Sequence, residues 1–296
     1  MKNILITGAN GQLGKKIKDE SQAFSNFNFY YTDIEELDIL NYKELEKFLI
    51  NNKIDIIINC AAYTAVDLAE TEVENTFNIN TLAPEHLAKL TKFNNVKFIH
   101  ISTDYVFDGQ KNTPYNEEDQ TNPQSVYGKS KLDGERKVLI ENPDSVIIRT
   151  SWLYSEYGKN FVKTMINLMA EKSELKVVYD QIGTPTYAGD LAYAILIIIE
   201  KFTERNIWKS GVFHYSDLGV CSWFDFAKKI MDIYYKTHKT KILPVLSNEF
   251  KTAAQRPNYS VLNKSKIMET YGLDIPYWEE SLRIMIENYK IKNNGK

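Results

Sequence analysis

Cysteine is almost absent from this chain. Cys60 and Cys221 are the only two in 296 residues. They stand far apart in apolar surroundings, with no metal-ligand spacing, so a disulfide framework and a cysteine metal site are both excluded as expectations. Each reads as a small core residue of a protein kept in a reducing compartment, the cytoplasm. Excess charge is missing too: 36 basic and 39 acidic side chains leave a net charge of −3, spread along the chain. Neither nucleic acid nor a membrane surface is therefore expected as a partner. Long hydrophobic runs are also lacking. The longest, Ala192 to Ile199, falls far short of the ~18 residues that span a bilayer. Met1-Lys2 leads straight into an apolar segment, with nothing that reads as a signal peptide. No repeat or low-complexity stretch is visible. What is present is a 43% share of hydrophobic residues, enough to bury the core of one large domain or of two intimately joined ones.

Short apolar runs alternate with helical patterns through the first half. Asn3 to Thr7 reads as a strand and runs into Gly8-Ala9-Asn10-Gly11-Gln12-Leu13-Gly14. Glycines at this spacing permit a tight turn, a close approach of backbone to a pyrophosphate, and close packing of helix on strand. The helix opening near Gln12 presents free amides to phosphate. Asn28 to Thr32 is the second strand and ends at Asp33, about 20 residues after the glycine loop, where an acidic side chain is expected to take ribose hydroxyls. A helix follows from Asn41 to Asn51, then a third strand, Asp55 to Asn59, which runs into Cys60-Ala61-Ala62-Tyr63-Thr64. A helical region reaches about Phe93, with Asn80 inside it, an unfavourable mid-helix residue that asks for a reason. Lys97 to Ile101 and Ser145 to Thr150 are the fourth and fifth strands. This order predicts an α/β fold with a doubly wound parallel sheet of the Rossmann type.

The fourth strand ends in Ser102-Thr103-Asp104-Tyr105-Val106-Phe107, at the carboxyl edge where open α/β sheets bind ligands. After an irregular loop from Asp108 to Pro123, Ser125 can cap a helix that carries Tyr127 and Lys131 on one face. A tyrosine and a lysine four apart are by themselves an ordinary surface pair. Following a Ser-Thr strand end and a phosphate-binding loop, they read as chemistry. An ammonium beside a phenol is expected to lower the phenol's pKa and ease proton transfer. The second half is less regular. It shows helices over 161–171, 189–202, 222–235 and 278–289, strands over 175–178 and 212–215, the Gly- and Pro-punctuated loop Asp180 to Thr186, the loop Ala254 to Ser260, and a tail from Lys290 expected to fray.

The glycine motif Gly8 to Gly14 and the Tyr127-x-x-x-Lys131 pair resemble those of the extended short-chain dehydrogenase/reductase family. Within it the resemblance is to reductases of nucleotide-linked sugars, over nearly the whole chain. It is carried most specifically by Ala65-Val66-Asp67, Ser102 to Phe107, Arg149-Thr150-Ser151-Trp152, Asp180-Gln181-Ile182-Gly183-Thr184-Pro185-Thr186 and Arg256-Pro257. The resemblance implies a dinucleotide-binding domain over 1–150, with helix 189–203 packing back on it, and a smaller, mainly substrate-binding α/β domain over 151–296. It implies Tyr127 as proton donor, Thr103 as the hydrogen-bonding partner of the substrate oxygen, and Lys131 holding the nicotinamide ribose and tuning Tyr127. Gly8, Asn10, Gly11, Gln12 and Leu13 would surround the pyrophosphate. Asp33, Asp38 and Ile39 would lie near the adenosine, and Ala61, Ala62, Tyr63 and Thr64 would line the path to the nicotinamide. Val66, Thr103, Asp104 and Trp152 would meet the sugar nucleotide, and Arg256 its diphosphate.

The implied reaction is reduction of the C4 ketone of a nucleotide-linked 4-keto-6-deoxyhexose by NADH or NADPH, in the supply of cell-surface polysaccharide sugars. No Arg or Lys occurs from Tyr30 to Leu40, so NADH is expected to serve at least as well as NADPH. Relatives place a magnesium ion at a dimer contact, but Lys15 and Lys16 stand at that helix start here. No metal is therefore expected, and a homodimer is left open. Two other functions stay compatible with the same scaffold: a sugar-nucleotide epimerase or dehydratase, and a non-catalytic regulatory subunit of the methionine adenosyltransferase type.

Overall fold

The computed structural model describes residues 1–235 and 240–294. The first half supplies five strands: β1 (Lys2–Thr7), β2 (Phe27–Thr32), β3 (Ile56–Asn59), β4 (Lys97–Thr103) and β5 (Val146–Thr150). Ile4 to Ile6, Ile56 to Ile58 and Val146 to Ile148 are fully buried. Runs without polar alternation are what a parallel sheet covered on both faces demands. Alternate side chains go to opposite faces. Ile4, Ile6, Ile58 and Ile148 join one core with helices α1 (Gln12–Glu20) and α6 (Ala188–Arg205). Leu5, Ile57 and Ile147 join another with α2 (Tyr42–Asn51), α3 (Ala83–Phe93) and α4 (Val126–Glu141). Burial of each such aliphatic side chain stabilises the fold by roughly 1.5–3 kcal/mol.

Among the described residues the second half adds three strands of four residues or more: β6 (Glu174–Val178), β7 (Gly211–His214) and β8 (Lys241–Val245). β7 lies parallel to β5 and completes a six-stranded sheet in the order β7-β5-β4-β3-β1-β2. β6 and β8 form a separate parallel pair. Around that pair α5 (Phe161–Glu171), α7 (Trp223–Tyr234) and α9 (Trp278–Asn294) build a distinct core of Val162, Met165, Phe226, Ile230, Leu282 and Ile286. The strand order turns back at β1, which pairs with β2 on one side and β3 on the other. The ends of β1 and β3 therefore open the crevice where ligands bind in such sheets.

Several local expectations change. β8 contains Pro244 and is too weakly patterned to read as a strand; a proline is tolerated there because β8 is an edge strand. The short helix α8 (Ser265–Tyr271), ended by Gly272 at φ +54°, was not expected. α9 continues through Asn294 rather than fraying after Tyr289; the last two residues of the expected tail lie outside the described residues. The helical region before α3 is broken into Val66–Ala69, Val73–Phe77 and a π-type turn over Asn78–Leu82. Asn80 explains the break. Its side chain is buried in that turn, accepts from the amide of Tyr63 (2.9 Å) and donates to the hydroxyl of Ser130 on α4 (3.0 Å). Among the described residues no helix is long and apolar enough to cross a membrane.

Candidate active site

A cleft of about 540 Å³ runs from the start of α1, past the ends of β3 and β4, to Trp152. At its glycine end, β1 turns sharply into α1. Gly8 holds φ +66°, and a Cβ there would lie 2.6 Å from the backbone nitrogen of Ala61. Only glycine fits that approach. Gly11 caps α1 without any side-chain hydrogen bond, so the first-turn amides keep no partner within the helix. Gln12, Leu13 and Gly14 all line the cleft, and this donor set fits a pyrophosphate. The Gln12 side chain accepts from Asn160 (2.9 Å), tying the loop to the second half of the chain. Asp33 sits beside the loop and accepts from the Asn10 amide (2.9 Å). Asp38 accepts from the Leu40 amide (2.9 Å), and Ile39 is buried in the core under α2. Those three lie beyond the cleft lining, whereas Ala62, Thr64 and Val66 line it. Ala61 contributes backbone contacts at the Gly8 turn, and the Tyr63 hydroxyl donates to Glu72 (2.9 Å).

Thr103, Tyr127 and Lys131 meet in the middle of the cleft. Ser125 caps α4 by accepting from the amide of Gly128 (3.1 Å). Gly128 lets the first turn of α4 close onto the Tyr105 carbonyl, 2.3 Å from where a Cβ would stand. That closure brings the Tyr105 ring edge-on to Tyr127, 5.5 Å between centroids. Burial pushes the Tyr127 phenol up to about 12, with the Thr103 hydroxyl pulling it down and the Asp104 carboxylate adding to the rise. The expected lowering by Lys131 is not what governs this arrangement. The Lys131 Nζ donates to the Ile101 carbonyl (2.7 Å), and its own pKa is pushed down to about 8 by burial, against the pull of Glu135. Asp104 is pushed up to about 6 by burial, against hydrogen bonds from Ser260 and Thr103. The Thr103 hydroxyl donates to Asp104 (3.0 Å) and accepts from the Tyr105 amide (3.2 Å).

At the other end, Trp152 lines the cleft at φ +47°, a strained conformation for a bulky residue. Its indole stacks on Trp223 with 3.5 Å between centroids. Gly183 makes room: a Cβ there would lie 2.6 Å from the ring. Ser151 donates to the Thr184 carbonyl (2.7 Å). The Asp180 to Thr186 loop thus seats the Arg149 to Trp152 segment. Arg256 does not line the cleft. It grips Asp67 through two hydrogen bonds (2.7 and 3.2 Å), which hold that carboxyl below its usual range. Two of the specific sequence motifs are therefore partners in one ion pair. Arg149 is likewise structural, forked onto Glu135 (2.7 to 3.2 Å) beneath α4.

Sequence reasoning does not single out Tyr105, which lines the cleft, or Trp223, which supports Trp152 by stacking without lining it. Tyr105 stood inside a recognised motif, but nothing local marks Trp223 beyond the Ser222 cap before it. Cys60, expected in the core, is half-buried and lines the cleft, while Cys221 is buried; both are free thiols. Lys16 is buried against Glu156 (3.2 Å). Among the described residues no group of three or more His, Cys, Asp or Glu side chains could hold a metal ion.

Residues 1–291 match the family model described as the RmlD substrate binding domain. The chain is 39% identical to the dTDP-4-dehydrorhamnose reductase of Aggregatibacter actinomycetemcomitans, over 96% of this chain and 98% of that protein. The chain belongs to the dTDP-4-dehydrorhamnose reductase family. Solved structures agree. The Clostridium acetobutylicum dTDP-4-dehydrorhamnose reductase superposes with a TM-score of 0.90 at 43% identity, covering 97% of this chain and 99% of the other. The Bacillus anthracis dTDP-4-dehydrorhamnose reductase, solved in complex with NADP, superposes with a TM-score of 0.91 at 41% identity, covering 97% and 100%. Those reductases share with this chain the extended short-chain dehydrogenase/reductase scaffold.

Proposed function

We propose that this chain reduces the C4 ketone of dTDP-4-dehydrorhamnose to give dTDP-rhamnose, using NADH or NADPH, as a step in the supply of polysaccharide sugars. The observation that carries the reading is the meeting of Thr103, Tyr127 and Lys131 in one cleft with the start of α1, whose first-turn amides no side chain caps. The nicotinamide, when bound, supplies a hydride to the carbonyl carbon. Tyr127 gives its phenolic proton to the carbonyl oxygen as that oxygen becomes an alcohol, so a ketone and one proton are consumed with each hydride. A phenol held near 12 stays protonated at neutral pH, the form a donor needs. Thr103 turns its hydroxyl proton from Asp104 to the same oxygen and stabilises the developing charge. Lys131 holds the ribose, and Gly8, Asn10, Gly11, Gln12 and Leu13 hold the pyrophosphate. Asp33 takes adenosine ribose hydroxyls, with Asp38 and Ile39 beside it, while Ala61 to Thr64 flank the nicotinamide.

The smaller core around α5, α7 and α9 is the proposed substrate-binding part. Val66, Asp104 and Trp152 face the sugar nucleotide from the cleft wall. Arg256 reaches a diphosphate by exchanging Asp67 for phosphate oxygens, which a guanidinium pairs with equally well. The test is to follow nicotinamide absorbance while offering a panel of nucleotide-linked 4-ketosugars. Oxidation of NADH or NADPH with the 4-dehydrorhamnose nucleotide supports the reading. Tight retention of cofactor with no net oxidation on any substrate overturns it.

A further inference from the structure

Beneath Lys131 lies a buried chain of polar side chains that the reaction above does not use. Asn59, at the end of β3, and His100, on β4, are both fully buried. The Asn59 Oδ1 accepts from the backbone amide of Ala61 (3.1 Å) and from the Thr7 hydroxyl (2.7 Å). A backbone N–H can only donate, so the orientation of the Asn59 amide is fixed. Its Nδ2 then points at the His100 Nδ1 (3.1 Å) and donates to it. An Nδ1 that accepts carries no proton. The ring is therefore neutral, and its one proton sits on Nε2. Burial also disfavours the imidazolium. Nε2 faces the Lys131 Nζ at 3.4 Å.

This fixes the polarity of the contact. An N–H aimed at an ammonium sets donor against donor. Aimed at an amine it finds a lone pair, while the amine still donates to the Ile101 carbonyl. We propose that His100 is a positioning residue for Lys131: locked as the Nε2–H tautomer by Asn59, it directs a donor at Nζ and favours the amine over the ammonium. The other groups facing Lys131 are Tyr127 and Glu135 on its own helix and the Cys60 thiol at the end of β3. Glu135 opposes His100 but spends its charge on Arg149 and the Ser102 hydroxyl. Partial burial pushes the pKa of the thiol up, which favours its neutral form. The consequence is a lysine whose proton is loosely held at the pH where Tyr127 must recover the proton it gave. That consequence rests on the reductase reading; the tautomer does not.

Two measurements test this. In wild-type protein labelled with ¹⁵N-histidine, the His100 ring is expected to show a bare Nδ1 and a protonated Nε2 from pH 6 to 9. A protonated Nδ1, as the other tautomer or as imidazolium, overturns the proposal whatever the activity. The second is the pH profile of kcat/KM in His100→Asn and His100→Gln. Asn can still satisfy Asn59 but leaves Nζ unopposed, so the alkaline limb should move up by about one pH unit, the worth of one hydrogen bond. Gln carries an amide N–H toward the place of Nε2–H and should stay close to wild type. Superimposable wild-type and Asn profiles in a folded variant refute the proposal, and a variant that fails to fold leaves the decision to the ¹⁵N spectrum. Absence of turnover in the wild type would instead refute the reductase reading.

Discussion

Glu135→Gln should loosen the helix that carries Tyr127 and Lys131. Glu135 is buried on α4, and its carboxylate receives three contacts from Arg149 on β5 (2.7, 2.9 and 3.2 Å) and the hydroxyl of Ser102 at the end of β4. The side chains of the pair are 3% and 5% exposed. Solvent cannot replace a lost partner at such burial, so the guanidinium is left uncompensated. Breaking a buried pair from one side costs about 3–5 kcal/mol. That is a large part of the roughly 5–15 kcal/mol by which a folded chain is stable. Urea unfolding should show the loss as a lower midpoint with little change in slope. Replacing both Glu135 and Arg149 by leucine should be milder than either single change, because no buried charge remains. A loss below about 1 kcal/mol in Glu135→Gln would refute the reasoning, since that is the range of an exposed pair.

The two glycines of the turn should separate folding from binding. In Gly8→Ala the new Cβ would meet backbone 2.6 Å away at φ +66°, so the thermal melt should drop by several degrees. In Gly11→Ala the nearest atom is a carbonyl oxygen at 3.2 Å; the melt should hold while cofactor titration weakens, and an unchanged cofactor affinity would count against the fingerprint. Asp33 accepts from the glycine loop and would face a 2′-phosphate with like charge. The wild type should therefore use NADH at least as well as NADPH in kcat/KM, with Asp33→Ala narrowing or reversing the preference. A strong wild-type preference for NADPH would contradict this. Asp190 is pushed up to about 6 by burial, so the folded state binds its proton more tightly than the unfolded chain does. The stability this group contributes is complete below about pH 4 and is lost as pH rises through about 6, by about 3 kcal/mol. Asp190→Asn should flatten that decline in melts taken across the interval.

The sheet was legible because its physics is local. Ile56 to Ile58 and Val146 to Ile148 are short β-branched runs, too brief for helices and suited to doubly buried strands, and the glycine loop and Asp33 fall where the ends of β1 and β2 bring them together. Tyr127 and Lys131 were legible through helical spacing and the Ser125 cap. What spacing could not show was direction. Lys131 points at the Ile101 carbonyl rather than setting the Tyr127 phenol, and Arg256 points at Asp67 from 189 residues away. Trp223 supports the site by stacking on Trp152, a long-range contact that no local pattern encodes. β8 was hidden by Pro244, because edge position is a property of the finished fold.

The measurement that bears most directly on the account is the rate of nicotinamide oxidation with dTDP-4-dehydrorhamnose, compared between wild type and Tyr127→Phe. Phenylalanine keeps the ring against Tyr105 and removes the hydroxyl, and with it the proton to be donated and the hydrogen bond with Thr103. General acid catalysis is worth ~10²–10⁴-fold, so turnover should fall by about that factor while cofactor affinity and the thermal melt hold. Turnover within a few-fold of wild type would show that another group delivers the proton and would contradict the assignment of this cleft.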